Sequence, residues 1–230
     1  MICPVKDLIA GSRTAINSPA AGGGQKEEKE VFITTAGFKG LIKEAYKNGR
    51  LVAGATQEEY LFEGSCWVIR VDRDCLPKKE KAAVVELTGE LPSPGEVFRA
   101  AKGQANQYEM QENEAWDIGN AFGRCREEMT VTRSLFQIGK AALRVIQNRR
   151  TNGCFFVSER FIAILDMDAI TEGETLPEGP RALTDGRGAI YWKNNSMTMA
   201  VLPVFHEDND ELGIHLRLLG NMELPEQRFF

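Results

Sequence analysis

Two segments of this sequence concentrate basic side chains, although the chain as a whole is acidic. The 230 residues include 28 Lys and Arg against 33 Asp and Glu, a formal net charge of −5. Clustered Lys and Arg side chains neutralise phosphates and release counterions without reading base sequence. The candidate contacts to duplex DNA are therefore Lys39, Lys43, Lys47 and Arg50 in the first segment and Arg133, Lys140 and Arg144 in the second.

The first basic segment has the spacing of an amphipathic helix. Apolar residues recur from Phe38 to Tyr46 with a helical period, and the Thr34-Thr35 pair can cap the start. Gly49 is a typical stop signal. At about 100° per residue, the four cationic side chains fall on one quarter of the helix surface, opposite the apolar stripe. The sequence thus predicts a helix with a basic outer face.

The second basic segment can be aligned with the first. Thr35 aligns with Thr132 and Leu41 with Ile138, so the apolar residues between 135 and 146 predict a second helix capped by Thr132. Arg133, Lys140 and Arg144 would then form the equivalent basic stripe. Similarity between two unrelated helix-then-hairpin segments is the alternative, because apolar periodicity alone produces partial matches.

Strands are predicted after each of these helices. In the first half they cover residues 51–55, a hairpin of residues 60–62 and 66–71 with its turn at Gly64, and residues 82–87. In the second half they form a hairpin of residues 154–157 and 161–166, then a pair at 189–193 and 197–204 joined at Asn194-Asn195.

These elements predict an α+β fold with two tandem, similar modules, each a helix followed by an antiparallel sheet. The modules would cover residues 31–128 and 129–230. Residues 1–30, rich in Gly and charged side chains, are expected to form a flexible tail because they cannot bury enough apolar surface to offset ordering.

Composition argues against several other classes of protein. No stretch reaches the roughly 18 to 20 apolar residues of a membrane span, and no signal-peptide region appears, so we expect a cytoplasmic protein without membrane contact. The two histidines, His206 and His215, and the five dispersed cysteines form no metal or nucleophile motif. Residues 206–211 are expected to be a solvated turn between strands. We therefore expect neither a bound metal, nor a cofactor, nor enzymatic activity.

In its pattern, the sequence resembles the sliding-clamp superfamily of DNA replication. The resemblance lies in two tandem modules of about 100 residues, the Lys and Arg of the aligned helices, and the closing hairpin of residues 182–204. It implies that the basic helices line the hole of a ring of self-associated subunits. The implied function is a non-enzymatic processivity accessory that holds duplex DNA without sequence readout.

Two other functions remain open from the sequence. The chain could be a structural or protein-interaction module of a phage or mobile element, contacting protein partners through sheet edges without binding nucleic acid. A metal enzyme built from the duplicated modules is disfavoured, because the halves share no histidine and the aligned Asp72 and Asp166 lie where a turn role suffices.

Overall fold

A computed structural model describes residues 31–108, 118–166, 177–183, 188–205, 207 and 210–227. The predicted tail, residues 1–30, lies outside the described residues. In chain order the elements are α1 Thr35–Lys47, β1 Leu51–Ala55, β2 Glu59–Glu63, β3 Trp67–Asp72, α2 Lys78–Thr88, β4 Val97–Ala100, β5 Gln107–Tyr108, α3 Ile118–Arg124, β6 Glu127–Ile138, β7 Ala141–Asn148, β8 Cys154–Ser158, α4 Glu159–Ala163, β9 Glu178–Ala182, β10 Ile190–Lys193, β11 Met197–Val201 and α5 Glu211–Leu219.

The strands form one antiparallel sheet in the order β5-β4-β1-β2-β3-β11-β10-β9-β6-β7-β8. β11 pairs with β3, where Met197 lies opposite Val71, and β9 pairs with β6, where Ala182 lies opposite Glu127. The C-terminal strands β9–β11 therefore lie between the first strands and the β6–β8 group. The α+β class is confirmed, but the sheet is continuous across the predicted boundary at residue 128, which falls inside β6.

Helix α1 forms as the sequence predicts. The Thr34 hydroxyl accepts a hydrogen bond from the Gly37 N–H at 3.1 Å, and Gly49 follows the helix with a φ of +65°. The ring of Phe38 packs edge-on against Phe62 of β2, with centroids 5.4 Å apart. The buried face of the helix consists of Phe38, Leu41, Ile42 and Ala45.

Helices α1, α2 and α4 pack over one face of the sheet and share one apolar core with it; together they are called the helix layer. α2 lies beside α1. On the side of α1 away from α2, Gly37 packs against Ile164 at the end of α4. A Cβ at Gly37 would lie 2.4 Å from Ile164, so only glycine permits this close contact. α3 covers the opposite face at β3, β10 and β11, while α5 packs against β8. None of the helices in the described ranges has the length and apolar content to cross a membrane.

The predicted second basic helix is wrong. Residues 132–146 belong to the long hairpin of β6 and β7, whose two-residue turn is Gly139-Lys140 with a φ of +58° at Gly139. A glycine at the first turn position is what such a hairpin requires. The two halves therefore differ in topology, since a helix precedes β1–β3 and a hairpin opens the second half.

Two predicted strands are helices. Residues 82–87 belong to α2, which begins after Pro77 and ends at Gly89 with a φ of +86°. Residues 161–163 belong to α4, while Leu165 forms an isolated bridge with Ile33. The acidic run of residues 206–211 leads into α5, capped by Asp210, and not into a strand; residues 206, 208 and 209 lie outside the described residues.

The hairpin turns predicted at Gly64 and at Asn194-Asn195 are confirmed. β2 and β3 pair on either side of Gly64, and β10 pairs with β11. The Asn194 side-chain oxygen accepts hydrogen bonds from the backbone N–H groups of Ser196 and Met197, which closes the second turn locally.

Helix α2 contains one buried acidic side chain, Glu80. Glu80 is 1% exposed, and neither of its side-chain oxygens has a hydrogen-bond partner among the described residues. A Glu three residues after a helix cap normally binds the backbone N–H of the cap residue, but here that residue is Pro77, which has none. Both side-chain oxygens are therefore buried without a hydrogen bond from a described residue.

We expect Glu80→Met to raise the free energy of unfolding by about 1–3 kcal/mol, because an uncompensated buried polar group is removed. Urea unfolding followed by circular dichroism measures this change. Glu86→Met, at an exposed position of the same helix, is the matched control and should change stability by less than about 0.5 kcal/mol. A loss of stability in Glu80→Met would contradict the interpretation.

Candidate nucleic-acid interface

The basic face of α1 lies on the outer surface of the helix layer. Lys39, Lys43 and Lys47 are exposed, on the side of the helix opposite its buried stripe. Arg50 is exposed just beyond the helix, where its N–H donates to the Ala45 carbonyl at 2.8 Å. Among the described residues, none of the three lysines forms an ion pair. Their charges are free to meet an external anion.

Helix α2 adds two cations that were not predicted from the sequence. Lys78 and Lys79 are exposed in its first turn and have no ion-pair partner in the described ranges. Because α1 and α2 pack side by side over the same core, their exposed sides face solvent on the same side of the sheet. Pro77 followed by Lys-Lys-Glu-Lys was the available signal for a helix start.

The acidic residue of α1, Glu44, is neutralised by the third helix of the layer. Arg160 of α4 donates through one guanidinium nitrogen to both carboxylate oxygens of Glu44, at 2.5 Å each. The same guanidinium lies over the ring of Phe161, 4.7 Å from its centroid. The basic surface is therefore not interrupted by a free negative charge on α1.

Two further cations flank an aromatic ring at the edge of α2. The guanidinium of Arg73 lies 5.2 Å from the centroid of Tyr60, and the ammonium of Lys81 lies 5.9 Å from it. Tyr60 itself is 6% exposed, so its ring serves as a support for these cations and not as a stacking surface.

The residues of the second predicted basic stripe do not lie together on one surface. Arg133 is exposed on β6, where its Nε donates to the Glu226 carbonyl at 3.1 Å. Lys140 is exposed in the β6–β7 turn. Arg144 is 8% exposed on β7. The structure thus brings together the residues predicted on α1 and separates the three predicted in the second half.

Arg144 has a structural role. Its Nε and Nη2 donate to the two oxygens of Glu159 at 2.7 and 2.5 Å, and its Nη1 donates to the Thr132 carbonyl at 3.2 Å. This bidentate pair ties β7 to the start of α4. A guanidinium with three acceptors inside the protein is not available to a phosphate.

Two cysteines and one histidine of the described residues lie in packed surroundings. Burial raises the pKa of the Cys154 thiol to about 11, and burial likewise raises the pKa of Cys125, so both remain protonated at neutral pH. His215 contacts the Glu211 carbonyl at 2.7 Å and the ring of Phe136. In the described ranges, no three His, Cys, Asp or Glu side chains lie close enough to hold a metal ion.

Arg149 and Arg150, which follow β7, also form hydrogen bonds within the protein. Asn148 and Arg150 donate hydrogen bonds to the two carboxylate oxygens of Glu127 at 2.8 and 2.5 Å, and these bonds lower the pKa of Glu127. Arg149 donates to Thr130 and to Glu226. The two arginines that follow β7 are therefore paired with side chains of β6 and of the C-terminal segment.

Comparison with known proteins adds little to this geometry. No protein-family model and no curated protein matches the sequence. The chain is similar to the crystal structure of a DNA polymerase III beta chain from Streptococcus pneumoniae TIGR4, with a TM-score of 0.33 and 8% identity, covering 75% of this chain and 63% of that one. The chain thus spans less than two thirds of that protein. The likeness is one of fold only and is weak, and no function is transferred from it.

Arg144 is buried and paired whereas Lys140 is exposed, so their replacement should affect stability differently. Arg144→Met should lower the free energy of unfolding by about 2–4 kcal/mol, because it leaves the partly buried Glu159 carboxylate without its partner. Lys140→Met, at the exposed turn, should change stability by less than about 0.5 kcal/mol. Urea unfolding of both variants measures the difference. Equal stability of the two variants would show that the Arg144 pair contributes nothing.

Proposed function

We propose that this protein binds duplex DNA through the helix layer, without reading base sequence and without catalysing a reaction. The observation that supports the proposal is the set of exposed, unpaired lysines that α1 and α2 present on one surface of an acidic protein. Lysine contacts phosphates as a point charge and carries no sequence information. The set consists of Lys39, Lys43, Lys47, Lys78 and Lys79.

The spacing of the α1 lysines suits a dense polyanion. Successive members are four residues apart, which corresponds to about 6 Å along the helix axis, so the three span about 12 Å. Duplex DNA carries one phosphate charge per about 1.7 Å of its axis, so this length offers about seven charges. A soluble anion of one or two charges could engage only part of the set.

A duplex fits this surface better than a single strand. Proteins that hold single strands stack bases on exposed aromatic rings. The exposed aromatic residues of the described structure are Tyr108 in β5 and Phe205 after β11, and the helix layer presents none. Backbone charge without stacking platforms favours the duplex.

A clamp-type role in replication is the finer form of this proposal, and it requires assembly. One helix layer can cover only one side of a duplex, so encirclement needs several copies of the chain in a closed ring. The second basic helix expected to complete each subunit is a hairpin, so each copy contributes one cationic surface. Molar mass in solution with and without duplex DNA tests this extension separately from binding.

Duplex binding by the helix layer can be measured directly. Fluorescence anisotropy with a labelled duplex of arbitrary sequence should show an affinity that falls linearly in log–log plots against salt. Lys43→Glu/Lys79→Glu should make that slope shallower by about two. It should weaken binding at least roughly 50-fold at 0.1 M salt, since each phosphate contact contributes a factor of about eight there.

Lys140→Glu is the control, because it reverses the charge of one lysine, half the change made in the double variant, at an exposed position outside the helix layer. It should bind as the wild type does. Equal losses in both variants, or binding that does not depend on salt, would contradict the proposed site. Absence of duplex binding by the wild type would favour the alternative, a protein-interaction module.

A further inference from the structure

A stretch of the β6 edge is covered by the chain's own residues 222–227, called the strap. β9 pairs with β6 at Glu127 and Glu128, before this stretch. Farther along the same edge of β6, the Arg133 N–H donates to the Pro225 carbonyl at 2.9 Å, and the Gln227 N–H donates to the Val131 carbonyl at 2.8 Å. These two hydrogen bonds make an isolated antiparallel bridge between Thr132 of β6 and Glu226 of the strap.

The strap is held by a buried side-chain amide. Gln147 of β7 is 4% exposed, and its Nε2 donates to the Met222 carbonyl at 2.7 Å while its Oε1 accepts from the Leu224 N–H at 2.9 Å. A side-chain amide that offers both a donor and an acceptor reproduces the pairing of a neighbouring strand. Gln147 thus recognises an extended main chain and not a particular side chain.

Few side chains of the strap contribute to its position. Leu224 is half-buried against the apolar cluster under α5, and the Glu226 carboxylate accepts from Arg149 at 3.1 Å. Met222, Glu223 and Pro225 are exposed. A cavity of about 820 Å³ opens between the strap and the ends of β6 and β7, walled by Thr130, Gln147, Arg149, Arg150 and Asn152. The strap forms one wall of this open groove, so there is free space beside it at the edge of β6.

We propose that this edge is a strand-acceptor site for another protein, and that the strap competes for it within the chain. Strand addition takes its affinity from main-chain hydrogen bonds and its specificity from alternate side chains. The partner segment is extended. It carries an aliphatic side chain at the position of Leu224 and a carboxylate at that of Glu226, because Arg149 lies opposite the latter.

The test uses a labelled synthetic peptide with the sequence of residues 220–230, added to the full-length chain and followed by fluorescence anisotropy. Leu224→Asp in the chain weakens the internal competitor and should tighten peptide binding at least tenfold relative to the wild type. Glu223→Gln, at an exposed strap position, should leave binding at the wild-type level. A peptide carrying the Leu→Asp change should bind at least tenfold more weakly.

Absence of binding to the Leu224→Asp chain would overturn the proposal, as would equal binding of both peptides. Hydrogen exchange on the wild-type chain provides a readout that needs no variant. The Gln227 amide should exchange sooner than the amides of the β6–β7 ladder, and added peptide should slow exchange at Arg133. If Gln227 exchanges only with the whole sheet, the strap does not leave its site and the proposal fails. Duplex binding by the helix layer is unaffected by either result.

Discussion

The burial of one face of α1 determines how this protein presents its charge. Phe38, Leu41 and Ile42 enter the core between the sheet and the helix layer, and each contributes about 1.5–3 kcal/mol on burial. A lysine turned inward would cost far more without a partner. The rotation of the helix about its axis is therefore fixed, and its lysines must face solvent.

The flanking helices extend that surface. α2 packs beside α1 and adds cations from its first turn, while α4 supplies the arginine that neutralises Glu44. The sheet beneath is held together by the insertion of β9–β11 between β3 and β6, so the first and last parts of the chain share one framework. The cationic layer on this acidic protein follows from this arrangement and not from a repeated module.

The sequence predicted α1 correctly because three independent signals agreed there: a cap at Thr34, a helical apolar period and a stop at Gly49. The same kind of period wrongly predicted a helix over residues of β7, because that strand is buried on both faces. Val145 enters the cluster under α5 and the adjacent Ile146 enters the core of the helix layer, so apolar residues do not alternate with polar ones. The Gly139-Lys140 pair was the local signal for a hairpin.

The candidate site was only partly predictable from the sequence, because part of it lies on a helix that was not recognised. Lys39, Lys43 and Lys47 follow from the helical period, whereas Lys78 and Lys79 required recognising α2 from Pro77 and Gly89. The role of Arg144 depends on Glu159, which follows β8, the strand that pairs with β7. Such a pairing has no signature in the sequence, because the partners are joined by sheet topology.

Lysine acetylation with and without duplex DNA, quantified residue by residue by mass spectrometry, examines the cationic layer most directly. If the layer holds the duplex, Lys39, Lys43, Lys47, Lys78 and Lys79 will be modified more slowly in the complex, and Lys140 will react at its free rate. Protection of Lys140 equal to that of the helix lysines, or no protection of α1 and α2, would contradict the proposed mode of binding.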